Sequence, residues 1–110
     1  MPDLKAVYQI LRARTPRALP IRYSELSELY YQDAQERIDP HRGWSLPLLE
    51  LLTWCDRRGL PQLPALVVNE TGLPGPGFWG QANTPPTPSR DAWEQMRDAI
   101  RQADWPTTME

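Results

Sequence analysis

The chain has 110 residues, 40% of them hydrophobic, which is enough for one compact core and too little for two. Twelve basic residues against fourteen acidic ones leave a net charge of −2, so no global positive field exists to attract nucleic acid. One cysteine excludes an intramolecular disulfide framework, and one histidine excludes a multi-histidine metal cage.

No apolar run approaches the roughly 20 residues of a membrane span, and the start Met-Pro-Asp-Leu-Lys does not read as a signal peptide. The expectation is a cytoplasmic, cofactor-free domain over residues 1–110. Thirteen prolines fall between periodic segments and punctuate short elements. Residues 1–22 carry a charge of +4, from Lys5, Arg12, Arg14, Arg17 and Arg22 against Asp3, while residues 23–70 carry −4. Any anion-binding face is therefore sought near the N-terminus.

In chain order, Asp3 caps a first helix whose Leu4, Val7, Tyr8 and Leu11 share one face, and Thr15-Pro16 ends it. The extended piece 19–23 follows, then a helix from about Ser24 to Gln32 with Leu26, Leu29 and Tyr30 as its stripe. Residues 33–40 read equally as its continuation or as a loop. A third helix opens at Ser45 as its cap, tolerates Pro47 in its first turn and closes at Gly59 and Pro61. Leu48, Leu51, Leu52 and Cys55 line one face of it, widened by Leu49 and Trp54, so it should sit centrally.

Leu63 to Asn69 reads as a buried strand, 69–72 as a turn, and 73–79 as a ragged return strand interrupted by Pro74 and Pro76. After a flexible loop over 80–89, Ser89 caps a last helix that docks through Trp93, Met96 and Ile100 and ends near Trp105. The order predicts a mainly α domain with a small β-hairpin (α+β), arranged as a winged helix-turn-helix with an extra C-terminal helix over 89–105.

Tyr23-Ser24-Glu25-Leu26, Arg42-Gly43, and Leu63-Pro64-Ala65-Leu66-Val67-Val68-Asn69 followed by Thr71-Gly72 resemble three segments of the winged-helix domain of DNA alkyltransferases and alkyltransferase-like proteins. The Leu-Val-Val-Asn, Thr-Gly and Pro-Gly-x-Gly-Phe pattern is also similar to small bacterial and phage proteins. The resemblance spans about half of the chain. In that family a Pro-Cys-His-Arg-Val-Val segment carries the alkyl-accepting thiol and its activating imidazole, and residues 64–69 contain neither Cys nor His. Cys55 lies on an apolar helix face, where burial makes a thiol inert. The resemblance thus implies the non-enzymatic branch, which binds without reacting.

Other chemistry is weakly supported. His41 lies in a loop-like Asp-Pro-His-Arg-Gly stretch without clustered ligands, and the glycines at 72–80 lack the lysine of a phosphate-cradling loop. Two binding expectations follow. The first is nucleic-acid association, with His41, Arg42 and Trp44 at the exposed start of the third helix, Tyr23 from the extended piece as a further contact, and Arg12, Arg14, Arg17 and Arg22 meeting phosphates. The second is a protein-binding adaptor, or a small phage-type inhibitor of a host defence or transcription complex, anchored by Phe78, Trp79 and Trp105. A continuous positive face from Arg12 to Arg42 favours the first, and an apolar face beside the wing favours the second.

Overall fold

The computed structural model of the chain describes residues 2–81 and 84–109. Helix α1 (Leu4–Arg12) starts where Asp3 accepts a hydrogen bond from the Lys5 N–H at 3.0 Å, and it buries Val7, Tyr8 and Leu11. A tight turn then leads to strand β1 (Ile21–Arg22), which passes without a loop into α2 (Tyr23–Ala34). This resolves the open segment: the helix takes two more residues and stops at Gln35, in the left-handed region.

Helix α3 (Ser45–Arg57) carries the expected buried face of Leu48, Leu51, Leu52 and Cys55. Ser45 is its first residue and not its cap, a position that Trp44 takes. The turn before it needs a glycine: a Cβ on Gly43 would lie 2.4 Å from Ile38 Cγ2 and 2.9 Å from the Asp39 carbonyl. Helix α4 (Arg90–Gln102) is capped by Ser89, as its sequence indicated, and buries Trp93, Met96 and Ile100. Residues 82 and 83, within the loop predicted over 80–89, lie outside the described residues.

The hairpin is corrected. Leu63–Leu66 forms a 3-10 turn, and only Val67–Val68 is extended, as strand β2. It pairs in parallel with β1, Ile21 opposite Val67 and Arg22 opposite Val68. Proline explains both departures. Pro64 sits in the first turn of the 3-10 segment, where its missing N–H costs nothing. Pro74 and Pro76 deprive 73–79 of ladder donors, so among the described residues the sheet has two strands and the return segment is loop. The 69–72 turn does form: Gly72 N–H donates to the Asn69 carbonyl at 3.0 Å, and Asn69 N–H to Leu73 at 2.9 Å.

Six consecutive residues, Leu63 to Val68, are buried, and α1, α3 and α4 all pack on the 3-10 turn. The leucine-rich helix and the valine pair therefore do share one core, with a turn and a parallel strand in place of a ribbon. Trp44 ties α3 to α2: its indole N–H donates to Ser27 Oγ at 2.8 Å, and its ring meets Tyr30 edge-on at 5.5 Å. On the opposite side Trp93 Nε1 donates to the Ala65 carbonyl at 2.8 Å, fixing α4 on the turn. Among the described residues, no helix is long and apolar enough to cross a membrane.

Candidate functional site

Strand β1 delivers Tyr23 to the surface at the first position of α2. There its ring packs against the proline- and glycine-rich loop after β2. The Gly75 N–H donates to the Tyr23 hydroxyl at 3.0 Å, across 52 residues of sequence. A Cβ at Gly75 would lie 3.0 Å from that oxygen, so the approach is tight and any larger residue would have to push the Tyr23 ring outward by a few tenths of an ångström. Burial pushes the Tyr23 phenol above its ordinary pKa, with the Gly75 hydrogen bond pulling the other way.

Beneath this bridge, between the starts of α2 and α3 and the loop at 75–78, lies a cavity of about 280 Å³. Its walls are mostly apolar: Trp44, Leu48, Leu52, Pro64 and Phe78, with Tyr23, His41, Ser45 and Asn69 supplying polar atoms. A second cleft, with more polar residues among those lining it, adjoins it and includes Arg22, Ser24, Val68, Glu70 and Thr71. Tyr23, Pro40, His41 and Asn69 line both, so the two form one groove at the carboxyl ends of the paired strands.

The sequence-predicted residues divide sharply. Arg22, Tyr23, His41, Trp44 and Phe78 converge on the groove, and Arg42 is exposed beside His41. Trp44 is not at an exposed helix start, however: it is 1% exposed and presents only an edge to the cavity. The other basic residues of the N-terminal segment do not line the groove. Arg14 donates to the carbonyls of Leu19 and Pro20 at 3.1 and 3.0 Å, shaping the turn into β1. Arg12 is half-buried with its Nε enclosed and without a hydrogen-bond partner, and Arg17 faces solvent elsewhere.

The proposed aromatic anchors are also corrected. Trp79 and Trp105 are buried, their indole N–H groups donating to Pro74 at 3.0 Å and to Ile100 at 2.9 Å. A partner cannot reach rings already spent on the core. Phe78, stacked edge-on to Trp79 at 5.2 Å, meets the outside only through the cavity.

Residues not singled out for the site include Ser24, Pro64, Asn69 and Gly75. All four fall within the motif segments quoted above, and a search for charge and aromatics alone passed over them. Cys55 is buried away from the groove, and burial pushes its thiol up to about 11, partly offset by the Leu63 backbone N–H. Among the described residues, no group of three or more His, Cys, Asp or Glu side chains could hold a metal. Compared with protein-family models, with curated proteins and with solved structures, the chain matches none of them.

Proposed function

We propose that this chain is a non-enzymatic binding module that associates with nucleic acid through the groove, on a helix-turn-helix whose wing position is held by the 73–79 loop. One observation carries the reading. Two of the three segments on which the alkyltransferase-like resemblance rests lie far apart in sequence, yet they meet at this groove. Tyr23 and Ser24 come from the first, and Pro64, Asn69 and Thr71 come from the third. Arg42 of the second is exposed next to the lining residue His41 without lining the groove itself.

The mostly apolar walls suit an uncharged, flat group such as an unstacked base. In the segment where the family carries its reactive Cys-His pair, Pro64 is followed here by Ala65 and Leu66. Neither side chain offers a nucleophile or a base, which supports binding without reaction. Arg22 lines the groove as an exposed cation, and Arg42 is exposed next to the lining residue His41. Fluorescence anisotropy with mixed single- and double-stranded oligonucleotides at about 50 mM salt should show micromolar or tighter binding that weakens as salt rises. Absence of binding there overturns the proposal.

A protein partner is favoured by other observations: Arg12, Arg14 and Arg17 do not line the groove, so no positive face runs through it from Arg12 to Arg42. Leu46, 55% exposed, follows the groove residue Ser45, and the cavity walls are apolar. Binding of that kind would be insensitive to salt and lost on Leu46→Asp, whereas phosphate-driven binding would survive that change.

A further inference from the structure

We propose that the polar cleft beside the apolar cavity is an anion subsite, built to take a phosphate joined to the group that fills the cavity. The inference rests on the nucleic-acid reading for the identity of that ligand, and on the cleft itself for its chemistry.

The donors are Arg22, Ser24, His41 and Asn69, all lining the cleft. Asn69 is the most telling. Its side-chain oxygen accepts from the Thr71 backbone N–H at 2.8 Å and from the Thr71 hydroxyl. A backbone N–H can only donate, so the amide orientation is fixed and its nitrogen, with two donors, is left for a ligand on the wall common to both cavities.

The carboxylates nearby are largely committed. Glu25 accepts from the Arg22 N–H and Asp39 from the His41 N–H, each a local backbone bond. Among the described residues Arg22 makes no salt bridge. Glu70 is the one carboxylate that lines the cleft, and it is exposed, free to turn into solvent. A planar guanidinium, an amide and a hydroxyl around an uncommitted space match the oxygens of a phosphate. The same ligand can place its ring in the apolar cavity next door, because the two spaces share the wall made by Tyr23, Pro40, His41 and Asn69.

The test titrates the full chain with thymidine, thymidine 5′-monophosphate and inorganic phosphate, followed by amide chemical shifts, and separately with a single-stranded oligonucleotide. Two variants probe the cleft. Arg22→Gln removes an exposed charge, and Asn69→Asp keeps the turn to Thr71 while replacing the donor nitrogen by an anionic oxygen. Arg101→Gln, on the outer face of α4, is the control.

The monophosphate should bind at least roughly tenfold more tightly than the nucleoside, with shifts at 22–24 and 69–71, and both cleft variants should erase that difference. In the oligonucleotide series Arg22→Gln should lower the salt slope by about one unit. Equal affinity for nucleoside and monophosphate, or a difference that survives both variants, overturns the subsite. If the strand still binds in that case, the nucleic-acid reading stands without it. Phosphate discrimination without strand binding keeps the subsite, as a site for a free phosphate ester, and removes the nucleic-acid reading. Absence of binding by every probe overturns both.

Discussion

The Tyr23–Gly75 hydrogen bond spans the groove, and its energetics can be measured without knowing the ligand. Tyr23→Phe keeps the ring and removes the oxygen, leaving the N–H of buried Gly75 without its acceptor. An unsatisfied buried donor costs about 1–3 kcal/mol. At the usual unfolding entropy per residue, a domain of this size loses about 4 °C in Tm for each kcal/mol, so a drop of roughly 4–13 °C is expected.

Gly75→Ala tests the same contact from the other side. The added Cβ would lie 3.0 Å from the Tyr23 oxygen but 3.6 and 3.7 Å from the ring carbons, and the latter distances are ordinary contacts. Alone, the substitution should cost about 1–3 kcal/mol through overpacking. In the Tyr23→Phe background the clash disappears with the oxygen, so the second substitution should cost about 1 kcal/mol less than it does alone. Urea denaturation of the four proteins in the cycle gives the coupling directly. Additivity within about 0.5 kcal/mol would refute the geometry, because two groups in this contact cannot act independently.

Arg14→Ala should destabilise the fold by about 1–2 kcal/mol in urea denaturation, because two carbonyls of the turn into β1 lose a charged donor. Trp93→Phe leaves the buried Ala65 carbonyl unpaired and should cost about 1–3 kcal/mol, with hydrogen exchange accelerating first in α4. Cys55 should resist thiol reagents in the native state and react only as the protein unfolds in urea. Its thiol pKa is raised in the folded state, so the folded chain holds that proton more tightly than the unfolded one. Stability should therefore fall as pH rises from about 9 towards about 11, by up to roughly 2–3 kcal/mol. Tyr8, Tyr23 and Tyr30, also raised by burial, add losses of the same sign that begin once pH passes their ordinary value of 10.0 and so overlap the Cys55 window. Cys55→Ala should remove the first part of that decline, as read from urea midpoints across the range.

The helices were legible because their signals are local. Asp3 and Ser89 cap the elements they were expected to cap, and the leucine periodicity of α3 marks the face that is buried. The strand pairing was not legible, because a pair of valines specifies an extended backbone and says nothing about which neighbour it joins. The 69–72 turn is real and pointed to a hairpin, but the donors for a return strand were missing from Pro74 and Pro76. Val67–Val68 instead found Ile21–Arg22, 46 residues earlier. The tryptophans misled for a related reason. An indole at the end of an element suits a partner or a core edge equally well in sequence, and only three-dimensional placement supplies the carbonyls that Trp79 and Trp105 meet.

Clustered charge in sequence likewise did not become a charged face. Arg14 is consumed by the turn that feeds β1, Arg12 ends α1 with its Nε enclosed, and Arg17 is exposed but does not line the groove, which leaves Arg22 as the member of that group lining it. The parallel pairing that escaped prediction is what puts Arg22 there. Aligning Arg22 with Val68 brings the carboxyl ends of both strands to one edge, so Tyr23 and Ser24 emerge from one strand beside Asn69 and Thr71 from the other. In a hairpin these residues would have had no reason to meet. The groove and the strand pairing are therefore a single structural fact: a substitution that unpairs β1 from β2 should open the site as well as weaken the core.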